Sequence, residues 1–372
     1  MKRSRAASAI RAVRMTSLLL TPHPWRTPLE VAEWFGAMQA QDVASGLWSL
    51  GVRQPGSTVV DVEAAFASRH LVRSWPMRQT VHIVPANDLA WMLDLTGRRG
   101  LGRMIERRQG LGLLPRDLDG LESELESILA SGQPVTRAAV LQGLSEAGIP
   151  TDGQRGYHML AYSSLIGLTC IGPQQGGAQT FVLVSRWAPQ QREFSREEAL
   201  TELAFRYFRS HGPTTVQDFA GWSGLTLTDA RRAVALNDGR LVTVDVAGEK
   251  PGEWWGTTES SAAVRDAATT PHATLALPGF DEYLLGYKDR SLHGDESLLE
   301  RVVPGGNGIF RATIVRSGVA IATWTRTLVR DRVDIEVRPF TRLTGRARRE
   351  TEQALGRYAT YLQRAPRIAY RD

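Results

Sequence analysis

The segment Ala-Met-Gln-Ala-Gln-Asp at positions 37–42 places two amide side chains two residues apart, next to a carboxylate. An amide does not titrate near neutral pH, so Gln39 and Gln41 cannot act as strong general bases. They can accept hydrogen bonds from a water molecule, hold it in place and turn their oxygen dipoles toward developing positive charge. The apolar spacing before them predicts that the pair ends a helix, where glutamines are usually surface residues. The pattern alone therefore leaves their role open.

A run of arginines is the second feature that could do chemistry. Within Gly97–Arg108, the residues Arg99, Arg103 and Arg107 are spaced four apart, so a helix would present them on one face, with Arg98 beside them. Guanidinium groups bind phosphate oxygens through paired hydrogen bonds, which predicts contacts to a nucleic-acid backbone. A basic face that is merely solvated is the alternative.

The overall charge agrees with a polyanionic partner. Lysine and arginine number 45 against 39 aspartate and glutamate residues, which gives a formal charge of +6 and a pI of about 9.7. Nearly all of the positive charge is arginine, since lysine occurs only at positions 2, 250 and 288. A GC-rich genome that favours arginine codons would produce the same bias, so composition does not decide the matter.

The sequence lacks the motifs of several common kinds of catalytic and binding site. Cys170 is the single cysteine and the seven histidines are scattered, which argues against a disulfide or a zinc site. There is no glycine-rich phosphate loop, dinucleotide fingerprint or serine nucleophile elbow. No apolar run approaches the roughly 20 residues that a membrane span needs. We therefore expect no metal, no cofactor and no membrane contact, and a cytoplasmic location.

The elements around the two glutamines follow a helix–helix–hairpin pattern. A helix is expected around Ser8–Leu20, and a second begins at Thr27, where Pro28 suits the first turn and Glu30 completes a capping box. The apolar residues of the second helix recur at helical spacing up to the glutamines. Two more helices and two β-rich segments, separated by Pro76, are expected at 45–50, 59–67, 71–75 and 80–84.

The same pattern recurs twice further along the chain. The second copy follows an acidic helix at 119–129, and the third follows a helix at 196–210. Their helices are expected at 136–147, 155–167, 215–221 and 226–236, and their strands at 169–172, 180–184 and 241–246. Three such copies predict tandem winged helix-turn-helix units in an α+β fold.

Beyond residue 272 the pattern changes. Alternating stretches at 310–315, 319–324 and 333–337 predict a small antiparallel β unit, and a basic helix is expected at 343–363. Four domains follow from these patterns. The first, 1–118, is a winged helix with the glutamine pair and the basic helix; 119–194 and 195–271 are the second and third winged helices, and 272–372 is a C-terminal β domain.

Several segments together resemble the winged-helix DNA glycosylases of the AlkZ and YcaQ family. They are Met-Gln-Ala-Gln-Asp at 38–42, Ser-Gly-Leu-Trp at 45–48, the stretch at 74–85, the stretch at 211–225 that begins His-Gly-Pro-Thr-Thr, and the stretch at 277–290. They occur in the family's order and are spread over nearly the full chain. In this family a Gln-apolar-Gln motif marks the AlkZ-like branch and Gln-apolar-Asp the YcaQ-like branch. Gln39 and Gln41 therefore resemble the AlkZ-like branch.

This resemblance implies a C-shaped array of three winged helices with a C-terminal β-barrel-like subdomain, wrapped around double-stranded DNA. It implies DNA repair by hydrolysis of the N-glycosidic bond of cationic N-alkylpurines, such as N7-alkylguanine and N3-alkyladenine. Bulky natural-product adducts and interstrand crosslinks would be further substrates, as in self-resistance to a genotoxic metabolite. Gln39 and Gln41 would be the catalytic residues of a monofunctional glycosylase that leaves an abasic site.

Other residues receive supporting roles from their own chemistry and placement. Phosphate contacts are expected from Arg98, Arg99, Arg103, Arg107, Lys288 and Arg290. Asp42 has two interpretations, a cap for a helix that begins near Val43 or an electrostatic support in the site. Nothing in the sequence demands a dimer, so we expect a monomer that associates with the nucleoid during repair.

Two functions other than that of a glycosylase are equally compatible with winged helices and a basic charge. One is a transcriptional regulator that binds DNA without catalysis, and the other is a protein that binds lesions and shields them. Release of a damaged base separates a glycosylase from both.

Overall fold

The computed structural model of the chain describes residues 2–25, 27–113, 118, 120–246, 252–266, 272–295, 297 and 300–371, with the side chains of 2–5, 103 and 105 outside the description. The chain divides into two compact units. The first unit comprises Met1–Val62 and Leu200–Asp372, and the second unit comprises Glu63–Ala199. The four domain boundaries expected from the sequence stay a prediction.

The N-terminal part of the first unit carries the glutamine pair. As predicted, a helix begins after Thr27, whose hydroxyl accepts the Glu30 N–H (3.2 Å) while the Glu30 carboxylate accepts the Thr27 N–H (2.8 Å). The helix ends early, because Gly36 adopts a φ of +84°, which glycine tolerates without steric cost. The prediction that the glutamines end this helix was wrong, since Gln39 lies on a short strand beyond it. The elements are α1 (Lys2–Ser17), α2 (Pro28–Phe35), β1 (Met38–Gln39), α3 (Val43–Gly51) and α4 (Val59–Ala67).

The second unit contains two hairpins that share one sheet. Its strands lie in the order β3-β2-β5-β6-β4, and Arg73 of β2 pairs with Ile171 of β5 to join the hairpins. Leu125, Val140 and Met159, all fully buried, lie at the centre of its core. The elements are β2 (Leu71–Met77), β3 (Thr80–Pro85), α5 (Leu89–Met92), α6 (Arg98–Gly110), α7 (Leu121–Ile128), β4 (Val135–Thr136), α8 (Arg137–Glu146), α9 (Arg155–Leu165), β5 (Thr169–Ile171), β6 (Thr180–Leu183) and α10 (Val184–Trp187).

The chain returns to the first unit through a long helix and a small three-stranded sheet. Thr215 begins a second capping box with Asp218, in the stretch that resembles the glycosylase family. The strands lie in the order β7-β9-β8. The elements are α11 (Arg196–His211), β7 (Thr214–Thr215), α12 (Val216–Ser223), α13 (Leu227–Ala235), β8 (Val242–Thr243), β9 (Trp254–Gly256) and α14 (Thr258–Asp266).

The C-terminal part of the first unit is an open five-stranded sheet covered by a helix. The elements are β10 (Thr274–Leu277), α15 (Glu282–Leu285), β11 (Thr313–Arg316), β12 (Val319–Val329), β13 (Arg332–Pro339), α16 (Gly345–Tyr361) and β14 (Ala365–Tyr370). The strands lie in the order β10-β11-β12-β13-β14, and β14 runs parallel to β13.

The expectation of a barrel-like subdomain was wrong, because the described strands contain no pairing that joins β10 to β14 and closes the sheet. Helix α16 connects β13 to β14, since a parallel partner for β13 requires the chain to cross the sheet and return beside β13. Tyr358 of this helix packs on Trp324 of the sheet, with ring centroids 4.9 Å apart. The mixed α+β class is confirmed. The winged-helix assignment of the three copies and their C-shaped arrangement stay predictions.

Candidate active site

Gln39 and Gln41 lie on a short connection between two helices of the first unit. The connection leaves α2 through Gly36 and enters α3 through Asp42. Gln39 is only 6% exposed, whereas Gln41 lies at the surface. The pair is therefore split between one amide held within the protein and one that meets solvent.

Asp42 caps α3, which confirms the first of its two interpretations. Its carboxylate accepts the Ser45 N–H (3.2 Å) and the Ser45 hydroxyl (2.5 Å) and forms an ion pair with Arg326 of β12 (2.6 Å). Burial, the largest single influence, raises the pKa of Asp42, but Ser45 and Arg326 together outweigh it and hold the pKa below its usual 3.8. A negative charge thus stands beside Gln41 at neutral pH, and its electrostatic role in the site stays a prediction.

The far end of α3 is held by a buried ion pair. Arg53 donates through two nitrogens to the carboxylate of Asp281, at 2.8 and 3.0 Å, and donates through Nε to the Leu18 carbonyl (2.8 Å). Both charged side chains are almost fully buried. Removing one partner of such a pair typically costs about 3–5 kcal/mol, because it leaves an uncompensated charge in the interior. The helix that follows the glutamines is therefore firmly anchored.

The strand β1 that precedes α3 is tied to Glu282, the residue after Asp281. The Gln39 N–H donates to Glu282 Oε1 (3.1 Å), and the indole N–H of Trp222 donates to Glu282 Oε2 (2.9 Å). His211 Nε2 lies 3.3 Å from the same Oε2 atom. Two adjacent acidic residues of the turn at 281–282 thus hold both ends of the segment that carries the glutamines.

The arginines predicted to contact DNA lie on α6 of the second unit, with the side chain of Arg103 outside the described residues. Arg98 is highly exposed and forms an ion pair with Asp94 (2.9 Å). Arg99 is exposed, and Arg107 is exposed and donates to Gln154 Oε1. An exposed pair such as Arg98–Asp94 contributes little to stability, so phosphate can compete for these groups. Their DNA contacts stay a prediction.

The other two residues predicted to contact phosphate lie in the first unit after α15. The Lys288 side chain is exposed, and its backbone N–H donates to Asp218 Oδ1 (2.7 Å). Arg290 is half-buried and folds back onto the protein, where Nε donates to the Leu284 carbonyl (2.8 Å) and the guanidinium lies 4.8 Å from the Phe310 ring. Of the two, Lys288 is better placed to meet a phosphate.

Sequence reasoning missed Glu282 and Arg326, which contact the glutamine segment but lie far from it in the sequence. Glu282 is 243 positions from Gln39, and Arg326 is 284 positions from Asp42. One signal was available for the first of them. Two consecutive acidic residues within the apolar stretch at 277–287 indicate buried carboxylates, which are retained only when they are paired.

Two other kinds of site, a metal centre and a reactive thiolate, are absent from the described residues. No group of three His, Cys, Asp or Glu side chains among them could hold a metal ion. Burial raises the pKa of the Cys170 thiol to about 12, so it is not a thiolate nucleophile at neutral pH. No helix in the part of the chain that the structure describes has the length and apolarity to cross a membrane.

Comparison with known proteins shows a family relationship. The profile of the family described as DNA glycosylase AlkZ-like matches residues 32–361. The interstrand DNA cross-link repair glycosylase of Streptomyces sahachiroi is 26% identical over 329 residues, which cover 84% of this chain and 86% of that protein. The solved structure of Streptomyces sahachiroi DNA glycosylase AlkZ has a TM-score of 0.77 and 23% identity, covering 97% of this chain and 98% of that one. At that identity the structural likeness shows the fold alone. The chain belongs to the AlkZ-like DNA glycosylase family.

Proposed function

We propose that this chain hydrolyses the N-glycosidic bond of cationic N-alkylpurines in double-stranded DNA, with Gln39 and Gln41 as its catalytic residues. Its substrates are N7-alkylguanine and N3-alkyladenine, including bulky adducts and interstrand crosslinks. The reaction leaves an abasic site and has no lyase step. The family relationship supports glycosylase chemistry, and the similarity to the interstrand DNA cross-link repair glycosylase of Streptomyces sahachiroi supports the crosslink as a substrate.

The chemistry follows from what two amides can do. Alkylation makes the base cationic and weakens the bond between its nitrogen and C1′ of the sugar. As that bond breaks, its electron pair returns to the base, which departs neutral, and positive charge develops on the sugar. A water oxygen then bonds to C1′ and its proton passes to solvent. The amide oxygens of Gln39 and Gln41 hold the water and face the developing charge, and no titrating base is required.

The observation that carries the proposal is that the two glutamines of the family motif differ in exposure. Gln39 is buried and its backbone N–H is bonded to Glu282, whereas Gln41 is exposed and can meet a DNA sugar and its attacking water. Preorganised dipoles of this kind contribute several kcal/mol, which suffices for a bond that is already activated. They would not suffice for an unmodified nucleoside.

The proposal is tested by base excision from a duplex that contains one N7-methylguanine. Wild-type protein should release the base and produce strand breaks only after alkali, because there is no lyase step. The variant with both Gln39→Ala and Gln41→Ala should lose at least about a hundredfold in rate. Gln353→Ala, an exposed glutamine of α16, serves as the matched control. Equal breaks with wild-type and double-variant protein would refute the proposal. Bulky-adduct and crosslinked duplexes in parallel define the substrate range.

We further propose that the protein acts as a monomer in the cytoplasm, at the nucleoid during repair. A purely regulatory role is not favoured, because the family match extends over most of the chain. A lesion-binding role without catalysis predicts tight binding to the methylated duplex and no base release, which the same assay detects.

A further inference from the structure

The carboxylate of Glu282 contacts the main chain of the residue proposed to hold the catalytic water. The Gln39 N–H donates to Glu282 Oε1 at 3.1 Å, and Glu282 is 1% exposed. The contact joins β1 to α15 within the first unit. The bond is made by the backbone of Gln39, not by its side-chain amide.

The second oxygen of the same carboxylate is fixed by aromatic side chains. The Trp222 indole N–H donates to Oε2 (2.9 Å), and His211 Nε2 lies 3.3 Å from it. His211 stacks on the Tyr207 ring with centroids 4.5 Å apart, and its Nδ1 lies 2.8 Å from Ser210 Oγ. The two oxygens therefore have separate tasks, one toward Gln39 and one toward this aromatic group.

Glycine at position 286 allows α15 to lie close to His211. A Cβ on Gly286 would meet His211 Cδ2 at 2.4 Å and the Glu282 carbonyl at 2.6 Å. A contact this close means that no larger residue fits without displacing the ring or the turn. The position of the Glu282 carboxylate is therefore determined by packing as well as by hydrogen bonds.

We infer that Glu282 is a positioning residue that sets the place of Gln39 for catalysis, an inference that rests on the proposed function. A buried carboxylate is costly, and well-packed apolar residues often replace buried charges without loss of stability. Here the charge provides something that an apolar side chain lacks, namely an acceptor for the Gln39 N–H. A displacement of about 1 Å at a catalytic group can reduce the rate about a hundredfold. Because Glu282 acts through the backbone of Gln39, it does not itself touch the reacting atoms.

Glu282→Gln is the most direct test, since it preserves size and removes one acceptor. In the wild type, one carboxylate oxygen of Glu282 accepts the Gln39 N–H and the other accepts the Trp222 indole N–H. The amide of the variant has only one oxygen, so its NH2 group must face one of these two donors. The single-turnover rate of N7-methylguanine excision should fall about ten- to a hundredfold. The Kd for the same duplex should change by less than about twofold, because Glu282 is itself buried and its bond to Gln39 is made by the backbone N–H.

A matched control is Glu350→Gln, which removes another carboxylate of the same unit. The Glu350 carboxylate is bonded to Arg316 and Arg346 rather than to the glutamine segment. Its rate per folded molecule should equal that of wild type. Hydrogen exchange at the Gln39 amide provides a readout that needs no substrate. Exchange there should accelerate in Glu282→Gln and stay unchanged in Glu350→Gln.

The outcomes separate this inference from the proposed function. If Gln39→Ala abolishes excision while Glu282→Gln retains the wild-type rate, Glu282 is not a positioning residue and the proposed function stands. If the rate falls only in proportion to the unfolded fraction, its role is purely structural and the inference fails. If wild-type protein releases no base, the proposed function fails, and the catalytic role inferred for Glu282 fails as well. In that case exchange at Gln39 decides only whether Glu282 fixes this residue.

Discussion

At the scale of single residues, the two glutamines differ in surroundings rather than in chemistry. Gln39 is buried on β1 and Gln41 is exposed, although both carry the same amide. Their identity and spacing are visible in the sequence, but the difference in burial is not. A residue three positions beyond a glycine-capped helix end can face either way, depending on which distant side chains pack over it.

Because neither glutamine titrates, the chemical step should be insensitive to pH. The single-turnover rate on N7-methylguanine should stay constant within about twofold between about pH 5.5 and pH 8, where no amide changes its protonation state. Rates measured with enzyme in excess over DNA, at saturating concentration, exclude effects on binding. A bell-shaped profile would contradict this mechanism, because it would reveal a titrating acid and base.

The cap residue Asp42 makes a prediction about stability and acid. Asp42→Ala should lower the free energy of unfolding by about 1 kcal/mol through loss of the α3 cap. Asp42→Asn should retain the cap, since asparagine caps equally well, but lose the charge that pairs with Arg326. The folded-state pKa of Asp42 lies below its usual 3.8, so its ionisation stabilises the fold above about pH 4 and less as the pH falls further.

Urea unfolding at a series of pH values checks both parts. Between about pH 5 and pH 3 the wild type should lose more stability than Asp42→Asn, whose side chain does not titrate. Parallel losses in the two proteins would show that Asp42 has the same pKa in the folded and unfolded states.

At the scale of helices and strands, long periodic elements could be predicted and very short ones could not. Helix α4 was predicted with its observed bounds, and the capping box at Thr27 was confirmed. Strands of two residues, such as β1, contain no alternation to detect, and their existence depends on pairing partners elsewhere. Strand β14 was missed because its residues are mostly exposed, so it lacks the apolar alternation of a half-buried strand.

The packing of α15 against His211 gives a prediction at this scale. Gly286→Ala should destabilise the protein by about 1–3 kcal/mol, because the new methyl group would overlap the His211 ring and the backbone. Gly356→Ala on α16 is the matched control, since a Cβ there meets nothing within 4 Å. Alanine favours a helix, so the control should be neutral or stabilising by up to about 1 kcal/mol. Thermal unfolding of the two variants tests this difference in stability, and equal Tm values would contradict the tight contact at Gly286.

At the scale of the whole molecule, the sequence provides the family and the charge but not the long-range pairs. The motif segments identify the family because they are local strings in a fixed order. The contacts of Glu282 with Gln39 and of Arg326 with Asp42 join positions more than 240 apart. Only the folded chain brings such positions together, and a single sequence contains no record of which distant residues meet. The catalytic candidates could therefore be predicted, whereas the residues that hold them could not.

The net charge of +6 has a measurable consequence for DNA binding. Each arginine that neutralises a phosphate releases counterions, so log K falls with log salt by about 0.9 per contact. Arg99→Gln on α6 should reduce that slope by about this amount and should weaken binding equally for methylated and undamaged duplexes. Phosphate contacts carry no information about the lesion, so excision at saturating protein should keep its wild-type rate. Arg371→Gln, which removes an exposed arginine paired with Glu336, is the control and should leave the slope unchanged. An unchanged slope in Arg99→Gln would remove Arg99 from the DNA interface, and a change confined to methylated DNA would instead place it at the lesion.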